Sequence, residues 1–283
     1  MRLLGAGDNV VDRYRSLGRY FPGGNAVNVA VFAARQGAAS AYLGVVGDDE
    51  AGKHVLAALD AERVDTSHVR VVHGPNATAD VDLVGNDRVF VGSDRGVAMF
   101  TPDARQLDVM AGYDVVHCGY ASAMLASVPD LVQHTKVSYD FANRFVADDI
   151  VRHAGGLYLA AFSAGHLPSD EALRLVERAT AAGARYVLAT RGAAGAYLAG
   201  PHGVTFAAAE PIKAVDTLGA GDAFIATVLV RLFAGDPPGV ATTAASHVAA
   251  QVCLDYGAFG HGAAYSPDDA TTTSVSTTKG AAS

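Results

Sequence analysis

The chain has 283 residues, half of them apolar, and a formal net charge of −8 at pH 7. This length allows one large α/β domain or a domain with a small appendage. The negative charge argues against sequence-independent binding to nucleic acid or to an anionic membrane. Two cysteines are too few for a disulfide framework, so we expect a cytosolic protein with reduced thiols.

The apolar pattern predicts strands and helices in alternation. In chain order, strands are predicted at 2–6, 41–46, 114–118, 136–140, 156–161 and 186–190. Helices are predicted at 25–36, 53–62, 170–182 and 223–230, the first beginning at Asn25 and ended by Gly37. Buried strands separated by helices indicate a mostly parallel sheet with helices on both faces.

No membrane segment is predicted. The most apolar run, 223–234, contains Arg231 and is shorter than the roughly 20 residues that a bilayer span needs. The N-terminal residues lack the charged, apolar and small-residue regions of a signal peptide.

One segment departs from the strand and helix alternation. Apolar and polar residues alternate from 78 to 84 and resume at 89–91, with turn-forming residues at 85–87 between them. We expect a hairpin exposed on one face, which forms a small lid from about 13–21 and 76–100. The stretch 266–283 is rich in Thr, Ser and Ala and is expected to be a disordered tail.

The segment from Gly219 to Asp222 comes directly before an apolar helix. Glycines let a ligand approach the backbone, and the first amides of a helix lack intrahelical acceptors, so this segment is a candidate anion site. Asp222 lies where a carboxylate can take the proton of a hydroxyl that attacks a phosphoryl group. Asp is also favoured as a helix cap, and spacing alone does not separate the two roles.

Two signatures carry a resemblance to a known family. The run Asp-Thr-Leu-Gly-Ala-Gly-Asp at 216–222 resembles the C-terminal signature of the ribokinase-like (PfkB) sugar kinases. Gly-Gly-Asn-Ala-Val-Asn at 23–28 is similar to the other signature of that family. The resemblance covers about residues 1–262. Within the family, the chain is most similar to fructoselysine 6-kinases, in the runs 7–12, 24–31, 46–49 and 86–90.

The resemblance implies a three-layer α/β/α fold with a mostly parallel central sheet and a small β lid, in one kinase domain at 1–265. It also implies that Asp222 is the catalytic base. The backbone amides of Gly219, Ala220 and Gly221 then form the anion hole for the transferred phosphoryl group.

Five residues are implied as substrate-binding: Asp8, Asp12, Gly24, Asn28 and Arg88. Asp8 either binds substrate or fixes its loop, and Asp12 is either a sugar ligand or a turn residue. Asn28 faces either the pocket or the helix surface. Arg88, on the hairpin, either pairs with a substrate carboxylate or is solvated.

For the nucleotide, Thr190, Gly192 and Gly195 resemble the family's turn beside ATP, together with Gly219 and Gly221. An adenine slot is expected near Gly195 and around 246–253. Asn25 either supports its loop or contacts substrate, and the sequence does not decide between these roles.

The metal ligands do not follow from the resemblance. Many family members carry Asn-x-x-Glu, associated with Mg²⁺, where this chain has Ser-Ala-Gly-His at 163–166. We therefore expect Mg²⁺ to be held mostly by ATP oxygens and water, with Asp140 assisting indirectly. Asp216 either contributes to a K⁺ site or holds the loop. His117, His247 and the other histidines are expected to have packing or surface roles.

The sequence thus predicts an ATP- and Mg²⁺-dependent kinase for a ketose-type substrate, in particular fructoselysine or a fructosamine at O6. A kinase for a plain sugar or nucleoside is the alternative within the family, and a catalytically silent sugar sensor is the non-enzyme alternative. A homodimer paired through the lids is also expected. A dehydrogenase is excluded because Val10 stands where the dinucleotide fingerprint has Gly or Ala, and the Walker motif is absent.

Overall fold

The computed structural model of the chain describes residues 1–84, 87–145 and 153–265, with the backbone alone for 82–84 and 87–90. The strands in chain order are β1 (Arg2–Gly7), β2 (Val10–Tyr14), β3 (Arg19–Gly23), β4 (Ala39–Gly47), β5 (Arg70–Val72), β6 (Thr78–Val84), β7 (Asp87–Asp94), β8 (Val115–Gly119), β9 (Lys136–Asp140), β10 (Leu159–Ser163), β11 (Tyr186–Thr190), β12 (Ala196–Gly200), β13 (Gly203–Ala207) and β14 (Ala263–Ala264).

The helices follow the same order. They are α1 (Asn25–Arg35), α2 (Glu50–Ala61), α3 (Ala104–Ala111), α4 (Val128–Leu131), α5 (Ser169–Ala181), α6 (Ala220–Phe233) and α7 (Pro238–Val252). Among the described residues, none of these helices has the length and apolar character that a membrane crossing requires.

Nine strands form the central sheet in the order β13-β12-β11-β10-β9-β8-β1-β4-β5. The strands from β11 to β5 pair in parallel, and β12 and β13 are antiparallel. Apolar side chains of α1, α2, α6 and α7 pack on one face, and those of α3, α4 and α5 pack on the other. Because both faces are covered, the inner strands consist of almost continuous buried runs.

A second sheet has five strands in the order β14-β3-β2-β6-β7. It begins directly after β1, so it rises from the carboxyl edge of the central sheet. Tyr14, Phe21 and Val81 form its own apolar cluster, which packs against Leu218 and Tyr256 of the main body. The predicted α/β class, with a mostly parallel sheet and a small additional sheet, is confirmed.

Several predicted boundaries were wrong. The helix predicted at 53–62 begins at Glu50, because the carboxylate of Asp49 accepts a hydrogen bond from the Gly52 amide at 2.9 Å and caps it. The strand predicted from 156 begins at Leu159, because Gly156 has a φ of +79° and lies in a turn. The predicted tail at 266–283 lies outside the described residues.

Candidate active site

Asp222 is the third residue of α6, and its carboxylate is directed toward α1. The Nδ2 atom of Asn28 donates to its Oδ2 at 2.6 Å, and the Nδ2 atom of Asn25 donates to its Oδ1 at 2.8 Å. The N-cap position of α6 belongs to Gly219, which makes no side-chain cap. Two amides from another helix therefore hold both carboxylate oxygens, and the alternative that Asp222 serves as a helix cap is excluded.

The backbone before Asp222 is shaped for close approach by a ligand. Gly219 is buried at φ +78°, and a Cβ built on it would lie 2.6 Å from the Cβ of Ala258, so packing and conformation both require glycine there. Gly221 is different: it is exposed, and a Cβ built on it meets no atom within 4 Å. Packing against the protein therefore leaves this glycine unexplained, whereas a ligand over the first amides of α6 explains it.

Asp8 fixes the start of α1. Its carboxylate accepts hydrogen bonds from the backbone amides of Asn25 at 2.8 Å and Ala26 at 3.4 Å. Burial raises the pKa of Asp8, and these amide donors oppose the rise. The contacts are those expected of a residue that holds the loop.

Asn25 joins several polar groups at the carboxyl edge of the central sheet. Its Nδ2 atom donates to Oδ2 of Asp140 at 3.0 Å as well as to Asp222. Its Oδ1 atom lies 3.0 Å from Nε2 of His117, and Nδ1 of His117 lies 2.9 Å from Oγ of Ser138. Asn25 thus connects two carboxylates to a buried imidazole.

The titration of these groups is set mainly by burial. Desolvation raises the pKa of Asp222 to about 8, with the hydrogen bond from Asn28 opposing the rise and the charge of Asp140 adding to it. Desolvation likewise raises the pKa of Asp140 to about 6 and lowers that of His117 to about 3. The imidazole is therefore neutral at physiological pH.

Oδ2 of Asp12 and Oδ1 of Asn28 both lie close to Gly23 at the end of β3. A Cβ built on Gly23 would lie 2.5 Å from Oδ2 of Asp12 and 3.8 Å from Oδ1 of Asn28. Oδ1 of Asn28 is buried and has no hydrogen-bond partner among the described protein atoms. Because buried polar atoms normally have a partner, this oxygen is suited to accept a hydrogen bond from a ligand.

Thr190, Gly192 and Gly195 lie at the same edge of the sheet, where β11 ends. The turn is closed by hydrogen bonds from Arg191 N to Gly195 O at 2.8 Å and from Gly195 N to Gly192 O at 3.0 Å. Both glycines have positive φ. Parallel strands place this turn and Asp140, the last residue of β9, on one side of the molecule.

Asp216 is buried and well supplied with donors. Its carboxylate accepts hydrogen bonds from the Tyr14 hydroxyl and from the backbone amides of Leu218 and Gly257, both at 3.0 Å. These contacts connect the second sheet, the loop before α6 and the loop after α7. They favour the loop-holding role over cation binding.

Two further predictions concern Arg88 and the metal. The backbone of Arg88 pairs with Leu83 in the β6–β7 hairpin, but its side chain lies outside the described residues. In the part of the chain that the structure describes, no cluster of three or more His, Cys, Asp or Glu side chains could bind a metal ion.

His117 is fully buried, which fits the expected packing role, and it is also within hydrogen-bond distance of Asn25, a residue of the site. His247, in contrast, is exposed and pairs with Glu210. The sequence does contain a signal for His117. It and Ser138 are polar residues inside two neighbouring apolar strands, where they stand directly opposite each other, and a buried polar pair needs partners.

Comparison with known proteins places these features in a family. A family model described as pfkB family carbohydrate kinase matches residues 6–260. Fructosamine kinase FrlD of Bacillus subtilis (strain 168) is 36% identical over 274 residues, which cover 95% of this chain and 96% of that protein. Fructoselysine 6-kinase of Escherichia coli (strain K12) is 36% identical over 235 residues, covering 81% and 88%.

Among solved structures, Arabidopsis thaliana ribokinase complexed with ribose and ATP matches with a TM-score of 0.76 at 18% identity. The match covers 92% of this chain and 94% of that one. At this identity the likeness shows a shared fold, and the ribokinase-like fold class predicted from the sequence is confirmed.

Proposed function

This chain belongs to the pfkB family of carbohydrate kinases, and we propose that it phosphorylates fructoselysine or a related fructosamine at O6, with Asp222 as the base. The observation that carries the proposal is the Asp222 carboxylate, held by two amides of α1 beside the exposed first turn of α6. The similarity to fructosamine and fructoselysine kinases supports the substrate class.

The proposed chemistry assigns each residue one task. Asp222 accepts the proton of the attacking hydroxyl, because Asn25 and Asn28 each donate to only one of its oxygens and leave further lone pairs free to accept. The amides of Gly219, Ala220 and Gly221 stabilise charge on the transferred group. ATP would supply the phosphoryl group when bound, and Gly221 leaves the space over the first amides of α6 open to it.

Substrate recognition is proposed to use Asp12, Asn28 and Gly24 at the sugar. The Oδ1 atom of Asn28, which has no hydrogen-bond partner among the described protein atoms, is an acceptor for a sugar hydroxyl, and the Asp12 carboxylate lies close to the same glycine, Gly23. At the nucleotide, the turn at Thr190, Gly192 and Gly195 is proposed to contact ATP, and Mg²⁺ is held mostly by ATP oxygens and water. Asp140 assists through water.

The proposal needs no K⁺ at Asp216, because Tyr14 and two backbone amides already bind that carboxylate. Phosphorylation rates in KCl and in NaCl at equal ionic strength should therefore agree.

A homodimer through the lids is part of the proposal, because β7 is an edge strand of the second sheet and edge strands readily pair. Light scattering measures this directly.

The assay that tests the function is ADP release by the purified chain with ATP, Mg²⁺ and a panel of Amadori compounds, ketoses and nucleosides. Turnover with fructoselysine at a kcat/KM well above that for fructose or ribose is expected. A preference for a plain sugar would favour the alternative kinase. Ligand binding without turnover on any member of the panel would favour a silent sensor.

The Arg88→Ala variant tests substrate class within the enzyme. If Arg88 pairs with the α-carboxylate of fructoselysine, its loss lowers kcat/KM for that substrate by about tenfold to a hundredfold, the effect of losing a charged hydrogen bond. Fructose has no carboxylate, so its kcat/KM is expected to stay the same. Arg95→Ala, at an exposed arginine just after β7, is the matched control. Equal losses on both substrates would contradict the assignment of Arg88.

The raised pKa of Asp222 predicts the pH profile. The base must be ionised, so kcat/KM is expected to fall about tenfold for each pH unit below about 8. The raised pKa also affects stability. Between about pH 4 and 8, the Asp222 carboxyl is protonated in the folded protein and ionised in the unfolded chain. The free energy of unfolding that this carboxyl contributes therefore falls as the pH rises from about 4 to 8. A kcat/KM that stays flat from about pH 6 to 8 would contradict the raised pKa.

A further inference from the structure

His117 is fully buried in β8, and the mechanism proposed above makes no use of it. It does not contact Asp222. Its Nε2 atom lies 3.0 Å from Oδ1 of Asn25, whose Nδ2 atom donates to Asp222 and Asp140. His117 can therefore influence which way the oxygen and the NH₂ group of the Asn25 amide point.

The chemistry of the partners fixes the direction of each hydrogen bond. In the state in which Asp222 can act as a base, both carboxylates are ionised and only accept, so the NH₂ group of Asn25 must face Asp222 and Asp140, and its oxygen must face His117. Nε2 of His117 must then be the donor. A neutral imidazole has one donor and one acceptor, so Nδ1 accepts from the Ser138 hydroxyl at 2.9 Å. Burial keeps His117 neutral, because it lowers the pKa to about 3.

The two orientations of the Asn25 amide have almost the same shape, so packing alone cannot select between them. In the reversed orientation its oxygen would lie against two carboxylate oxygens. That arrangement disfavours ionised Asp222 and removes the donor that holds Oδ1 of the base. An Nε2–H donor at His117 selects the productive orientation, because it gives the amide oxygen a partner.

We propose that His117 and Ser138 are positioning residues, which act through Asn25 to hold the Asp222 carboxylate in the geometry and the ionised state that proton abstraction needs. This inference rests on the proposed function in taking Asp222 as the base. It adds a series of hydrogen bonds, each with a defined donor, that runs from the Ser138 hydroxyl through His117 and Asn25 to the carboxylates of Asp222 and Asp140.

The test compares His117→Leu with His117→Gln. Leucine keeps much of the volume and removes both hydrogen bonds, whereas glutamine carries an amide N–H close to the Nε2 position. We expect His117→Leu to lower kcat by on the order of tenfold to a hundredfold with the KM of sugar and of ATP little changed. His117→Gln is expected to recover most of kcat. Cys118→Ala is the matched control, a buried change at the next residue whose side chain packs on the other face of the sheet.

A second readout does not depend on activity. The ¹⁵N NMR shifts of the His117 ring report its tautomer, and we expect the neutral form protonated at Nε2 above about pH 8, where both carboxylates are ionised. An Nδ1–H tautomer, a wild-type kcat in His117→Leu, or equal losses in the Leu and Gln variants would overturn the proposal. The proposed function would be contradicted by a different result: no turnover by the wild type, or wild-type turnover by Asp222→Asn. In that case the tautomer of the His117 ring still tests the hydrogen bonds from Ser138 through His117 to Asn25.

Discussion

Replacing Asp222 by Asn is expected to lower kcat by about 10²–10⁴-fold while leaving the fold intact. The carboxylate is proposed to accept the proton of the attacking hydroxyl, and a positioned general base contributes about this factor. Asparagine has almost the same shape, and its oxygen can still accept from the amide of Asn25. The NH₂ group of the new asparagine then faces Asn28. The Asn28 amide can turn over so that its Oδ1 atom accepts from this group, because Oδ1 has no hydrogen-bond partner among the described residues.

Stability separates this result from a trivial loss of structure. The pKa of Asp222 is raised, so keeping it ionised above pH 8 opposes folding, and a neutral side chain removes that penalty. We therefore expect the Tm of Asp222→Asn at high pH to equal or exceed that of the wild type. Single-turnover rates with ATP and fructoselysine, measured together with Tm, check both parts. A variant that retains the wild-type rate would show that another group is the base.

Local sequence patterns predicted the elements of the central sheet that are bounded by turn residues. The strands β9 (Lys136–Asp140) and β11 (Tyr186–Thr190) were predicted to the residue, because β9 alternates polar and apolar residues, β11 is a short apolar run, and each ends at a polar residue. The strands β2 and β3 were not recognised. Their pairing partners include β6 and β14, which are distant in the sequence, so the alternation there depends on tertiary contacts.

The candidate site was partly predictable for the same reason. The run from Gly219 to Asp222 contains both the candidate anion-binding amides and the candidate base. Spacing and the family signature were therefore enough to identify it as a candidate site. Asn25 remained undecided because its role depends on His117, which is 92 positions away, and on Asp140. Such contacts arise because the fold brings the first residue of α1 to side chains of β8 and β9, and no local pattern contains them.

The last prediction separates the function of a glycine from its effect on stability. Gly221→Ala is expected to lower kcat by on the order of a hundredfold and to leave Tm unchanged or higher. A Cβ at this position meets no protein atom within 4 Å, and alanine is favoured over glycine in a helix by about 0.5–1 kcal/mol. The same Cβ would occupy the space above the first amides of α6, where donors to the transferred phosphoryl group are worth about this factor in rate.

Gly239→Ala is the matched control for this variant. Gly239 is also the second residue of its helix, α7, and the nearest atom to a Cβ built there is Cγ2 of Thr205 at 3.9 Å. It lies near the end of β12, where a Cβ on Gly200 would approach Pro238, and because β12 runs antiparallel to β11 this end is at the amino edge of the parallel strands, opposite the carboxyl edge where Asp222 lies. Both variants should gain similar stability, and only Gly221→Ala should lose activity. If Gly221→Ala phosphorylates at the wild-type rate, the phosphoryl group does not lie over the first turn of α6, because the methyl group would exclude it.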